Sequence, residues 1–137
     1  IAVANSVAPS KRPRSSMTPV IIFNQDGSFF AAIGSPGGPK IISYVAQTVI
    51  ALLDYGLSMQ EAINLPRHVT TGKTLELEAD TTVSELKPKM EAMGHRVILK
   101  RQHSGLHGIR LLRDNSNSIE ILDGGADPRR EGRVLIQ

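Results

Sequence analysis

The chain has no cysteine and no tryptophan, and only three phenylalanines and two tyrosines among its 137 residues. The first absence excludes disulfides, thiolate nucleophiles and cysteine-ligated zinc, and it leaves the redox compartment open. The second means that the core must rest on aliphatic side chains. No apolar run approaches the roughly 20 residues a membrane helix needs, so no membrane span is expected. The four histidines, His68, His95, His103 and His107, form no H-E-x-x-H pattern. "HSGLH" is a poor helix former, so His103 and His107 make no i, i+4 ligand pair and no metal site is read. The phosphate-loop patterns G-x-x-x-x-G-K-[ST] and G-x-G-x-x-G are missing, as is the serine-hydrolase elbow G-x-S-x-G.

What is present describes an ordinary soluble domain, 40% hydrophobic and 21% charged, of a length that suits one folding unit. The net charge of +3 is mild. Its one basic cluster, "KRPR" at Lys11 to Arg14, is short and carries no interleaved aromatics, so a nucleic-acid partner is not expected. The opening "IAVANSVAPSKRPRSS" lacks an initiating methionine, and its basic residues follow the apolar ones, unlike a signal peptide. Residues 1–14 therefore read as an extended or disordered lead-in to a chain processed or cut from something longer. Residues 15–137 read as the folded portion.

The β-branched run from Thr18 to Phe23 predicts a strand, "NQDG" a tight turn, and Ser28 to Gly34 a returning strand buried on both faces. After "SPGGP", Ile41, Val45, Val49 and Leu52 recur at helical spacing with Ile42, Ala46, Ile50 and Leu53 beside them. That predicts a largely buried helix closed by Gly56. Ser58 and Glu61 form a capping box for a short helix ending before Pro66. Thr82 and Glu85 offer a second box, opening a helix with Leu86, Met90 and Met93 inward and Gly94 at its end. Arg96 to Lys100 predicts a strand, and "HGIRLLR" and "SIEILD" a hairpin around "DNSN". Antiparallel hairpins alternating with helices give an α+β layered fold rather than a doubly wound parallel sheet.

Two polar clusters flank the first hairpin. Gly37 and Gly38 stand between a strand and a helix, where backbone N–H groups lack intrahelical partners and the helix dipole favours negative charge. They suit an oxyanion hole, and equally a plain β–α turn that needs glycine for its shape. Ser15 and Ser16 suit carboxylate binding, and equally local side chain–backbone bonds at a strand start. Arg12, Arg14 and Arg67 suit an anionic substrate, although Arg67 also fits an ion pair fixing its loop. Asp127 and Arg129 around Pro128 read as a structural turn.

"KRPRSSMTP", "GSPGG", "DYGLSMQEAINLPRH", "MGHRV" and "ADPRREG", in this order from Lys11 to Gly132, resemble the gamma-glutamyltransferase family. The resemblance implies part of a four-layer αββα N-terminal-nucleophile hydrolase sandwich, made as a self-cleaving precursor of a large and a small subunit. It implies acyl transfer from gamma-glutamyl compounds such as glutathione, through an acyl-enzyme on the N-terminal Thr of the small subunit, to water or an amino acid. Carried over by motif, Ser15 and Ser16 bind the glutamyl alpha-carboxylate, Met17 flanks the pocket, and Gly37 and Gly38 form the oxyanion hole. No cofactor is implied. The nucleophilic Thr lies upstream of the serine motif in the family and has no match here. The chain is thus expected to be the C-terminal part of a small subunit, inactive alone, with the rest of that subunit and the large subunit as partners. An incomplete sandwich should expose apolar sheet, so pairing of two copies is expected. The family's bacterial members place it in the periplasm or outside the cell. Cephalosporin acylases and capsule poly-gamma-glutamate enzymes share the layout, and a non-catalytic anion-binding module is the reading of another class.

Overall fold

The computed structural model describes residues 5–113 and 120–135. The first hairpin joins β1 (Val20–Phe23) to β2 (Phe29–Gly34) in antiparallel register, with Val20 opposite Ile33. Its turn closes as the Asp-Gly pair dictates: Gly27 takes φ 81, and the Asp26 carboxylate accepts from the Ser28 N–H at 2.8 Å. Two late strands, β6 (His107–Arg113) and β7 (Glu120–Ala126), complete a four-stranded antiparallel sheet in the order β1-β2-β6-β7. The "DNSN" turn falls outside the described residues. A second sheet holds β3 (His68–Thr71), β4 (Thr74–Glu78) and β5 (Arg96–Lys100). Its β4–β5 pair is parallel, so the α+β class holds while this sheet is mixed.

Helix α1 (Ile41–Leu53) buries Ile41, Tyr44, Val45, Thr48, Ala51 and Leu52. The flanking row of Ile42, Ile50 and Leu53 is about half exposed, so the helix is amphipathic rather than buried all round. Gly56 follows it with φ 67. In α2 (Met59–Asn64) the capping box forms as expected, Ser58 and Glu61 bonding each other's backbone. The two helices pack on one face of the four-stranded sheet, and the core joins Ala31 and Ile33 to Val45, Leu52, Met59 and Ile63. A Cβ on Gly125 would lie 2.9 Å from the Gln60 nitrogen, so α2 rests almost on the β7 backbone. Gln47 ties α1 to the second sheet through both backbone groups of His68.

Two helical expectations need correction. The segment Thr82–Leu86 is a 3-10 helix started by Thr81, with no side-chain cap, so the second capping box does not form. The α-helix that follows, α3 (Lys87–Ala92), is only six residues long. Pro88 sits in its first turn, where its missing N–H costs nothing. Leu86 and Met93 are exposed rather than inward, because this short helix lies on the β5 edge and covers little.

Candidate functional site

After β2 the chain turns through Ser35, Pro36 and Gly37 into a 3-10 turn, Gly38–Lys40, that feeds α1. Gly37 has φ 143 and Gly38 φ 59, values that L side chains rarely adopt. Among the described residues neither glycine N–H donates a hydrogen bond, so two adjacent donors stand free ahead of a helix. The two glycines line a cavity of about 270 Å³ whose other walls are Lys40, Tyr44, Lys100, His103 and Arg130. Three of those five carry positive charge. The residue types lining this cavity suit an anion; sequence reasoning gave a role here only to its two glycines and had weighed His103 for metal binding alone.

The cavity wall is held by a polar cluster. Lys40 Nζ pairs with the Glu76 carboxylate and donates to Gln102 Oε1 at 3.1 Å. Tyr44 Oη donates to the same Oε1 at 2.9 Å, and Gln102 Nε2 donates to Glu76 at 3.2 Å. Burial would raise the Glu76 carboxyl, but the bonds from Lys40 and Gln102 outweigh it and hold the pKa below the usual range. Burial pushes the Tyr44 phenol up, which keeps it a donor at neutral pH.

Ser15, Ser16 and Met17 lie apart from this cavity and line none of it. The hairpin register sends the chain before Val20 and the chain after Gly34 off the same end of the sheet, so serines and glycines flank one end. Ser15 Oγ accepts from the Met17 N–H at 3.1 Å, the local strand-start bond anticipated as its alternative role. Ser16 is partly buried, and its carbonyl accepts from the Thr18 hydroxyl at 2.8 Å. Met17 is exposed. Arg12 and Arg14 are exposed on the lead-in.

Among the described residues Arg67 does not make the ion pair expected of it. It is fully buried, its Nη2 bonds the Ile63 carbonyl, and its Nε and Nη1 have no partner among the described residues. Burial first, then the neighbouring Arg129, lowers its pKa to about 10. The ion pair belongs to Arg129, which clamps Glu78 and reaches Asp127 at 3.2 Å. Asp127 in turn accepts from Ser104 and from the Leu106 N–H. The Asp127–Arg129 turn is structural, as expected, and it also stitches the two sheets together.

The sequence model of the family Gamma-glutamyltranspeptidase matches residues 2–136. The chain belongs to that family. It is 40% identical over 128 residues to the glutathione hydrolase proenzyme of Escherichia coli (strain K12), a match covering 92% of this chain. The match covers 21% of that relative, so the chain spans about a fifth of its length. An acivicin-inhibited gamma-glutamyltranspeptidase superposes with a TM-score of 0.82 at 30% identity, covering 95% of this chain and 69% of the other. A mutant of the Helicobacter pylori gamma-glutamyltranspeptidase gives 0.82 at 29%, over 94% and 69%. The fold is thus that of the gamma-glutamyltranspeptidases, as the motifs implied.

Proposed function

We propose that the chain is the C-terminal part of the small subunit of a gamma-glutamyltransferase acting on glutathione-like compounds. The observation that carries this reading is the free N–H pair of Gly37 and Gly38, two glycines that line a basic cavity in a member of this family. In acyl transfer, a nucleophile's attack on the gamma-glutamyl carbonyl moves the carbonyl π electrons onto oxygen. Two preorganised N–H donors and nearby positive charge stabilise that oxyanion more than they stabilise the neutral carbonyl. Ser15 and Ser16 hold the alpha-carboxylate, with Ser15 exchanging its local bond for the substrate, and Met17 shields that end of the pocket. The basic wall of Lys40, Lys100 and Arg130 suits the anionic end of the departing peptide.

The nucleophilic Thr and the acyl-enzyme it forms belong to the part of the small subunit preceding Ser15, and the large subunit completes the carboxylate site. The 137 residues alone therefore turn over nothing. The outer face of the four-stranded sheet is the surface for the rest of the sandwich. Ile21 and Ile109 share that face by register, Leu122 joins them two residues before Gly124, and all three are exposed. In isolation the same face pairs two copies. A periplasmic or secreted location follows the family's bacterial members.

The test is hydrolysis of gamma-glutamyl-p-nitroanilide by the purified 137 residues and by the protein including the segment before them. Turnover only in the longer protein is expected. Turnover by the short chain, or preference of the longer protein for a butyryl amide lacking the amino and carboxyl groups, would contradict the reading.

A further inference from the structure

Resting on the reading of Gly37 and Gly38 as oxyanion donors, we propose that Tyr44 is the positioning residue of that pair, locked in place by Gln102. Glycine at φ 143 has little intrinsic reason to stay there, since glycine samples both signs of φ. Something outside the turn has to hold it. The Tyr44 ring does so. A Cβ built on Gly37 would meet Tyr44 Cε2 at 2.8 Å and Cδ2 at 3.2 Å, so the ring lies flush against the Gly37 backbone. By contrast, a Cβ on Gly38 would meet nothing within 4 Å, so Gly37 is the anchored member and Gly38 follows it.

The ring is itself fixed at both ends. Its Cα belongs to α1, and the side chain is only 1% exposed. Its Oη donates to Gln102, 58 residues away in the strand-to-strand loop. Lys40, the last residue of the glycine turn, donates to the same Gln102 oxygen, and both Lys40 and Gln102 hold Glu76. The turn is thereby closed into a ring of contacts running Gly37, Tyr44, Gln102, Lys40. Loss of the Tyr44 hydroxyl or of Gln102 frees the glycines without removing a group assigned to the substrate.

The test has two arms. Backbone 15N relaxation on the 137-residue chain should give Gly37 and Gly38 order parameters near the rigid value of about 0.85, falling below about 0.6 in Tyr44→Phe and Gln102→Ala. Tyr55→Phe, at an exposed position, should leave them rigid. In the second arm, these residues replace the matching segment of the Escherichia coli glutathione hydrolase. There Tyr44→Phe should lower kcat about tenfold, short of the roughly 10²–10³ lost with a whole donor, while KM holds. Rigid glycines in both variants, or flexible glycines in the unaltered chain, overturn the inference. Flexible glycines with kcat unchanged uphold the positioning and overturn the oxyanion reading beneath it.

Discussion

Arg129 grips the Glu78 carboxylate with two parallel hydrogen bonds, Nε to Oε1 at 2.6 Å and Nη2 to Oε2 at 2.8 Å. The same guanidinium reaches the Ile63 and Leu65 carbonyls at 3.2 and 3.1 Å, so it joins α2, β4 and the turn after β7. Around it the charges balance: Arg67 and Arg129 against Glu78 and Asp127. Arg129→Leu leaves two buried carboxylates with one badly partnered arginine. Breaking a buried pair of this kind costs about 3–5 kcal/mol, so the variant should lose a large share of a small domain's stability. Urea denaturation checks this. Arg129→Lys should recover only part of the loss, because an ammonium cannot make the bidentate contact.

Gly37 and Gly38 should respond differently to a single methyl group. Gly38→Ala meets open space but keeps a left-handed φ, a strain of about 1–2 kcal/mol. Gly37→Ala adds a collision with the buried Tyr44 ring to its own strained φ, so it should be the more destabilising of the two. Thermal melts of the two variants rank them. Equal melting temperatures would mean that the ring yields.

Much of this architecture was legible locally. The Asp26-Gly27 turn and the Ser58–Glu61 box are short-range devices, and each formed where its spacing placed it. Thr82 and Glu85 had the same spacing but built a 3-10 helix, since Pro88 and a shallow seat on β5 left no long helix to cap. The rest depended on partners far along the chain. Tyr44 meets Gln102 58 residues later and Glu78 meets Arg129 51 residues later, and no local pattern announces either pair. Arg67 showed the limit most sharply: its motif drew notice, but burial rather than pairing decides its role. The glycines of the site were visible because their conformation is written in their identity. The basic wall of Lys40, Lys100 and Arg130 was not, because three distant segments build it.

Glu76 should make stability depend on pH in the acid range. Its carboxyl is lowered in the folded chain from an ordinary value of 4.5, so the unfolded chain binds its proton first as the pH falls. The Glu76 contribution is therefore complete above about pH 4.5 and is lost as the pH falls through the folded value. Urea midpoints of the unaltered chain and Glu76→Gln, taken at pH 7, 5 and 3, should differ most at pH 7 and converge at pH 3. A gap that stays constant would show that the carboxylate's charge does not matter there.

The central claim is that these residues supply the glutamyl carboxylate clamp and the oxyanion hole to a nucleophile held elsewhere. The most direct measurement is the steady-state hydrolysis of gamma-glutamyl-p-nitroanilide by the Escherichia coli enzyme carrying this segment, with and without Ser15→Ala and Ser16→Ala together. Hydrogen bonds to a charged group are worth about 1.5–3 kcal/mol, so the account predicts an active chimera whose KM rises about tenfold or more when both serines are lost. A chimera that matures into two subunits yet hydrolyses nothing, or a double variant with an unchanged KM, would contradict it.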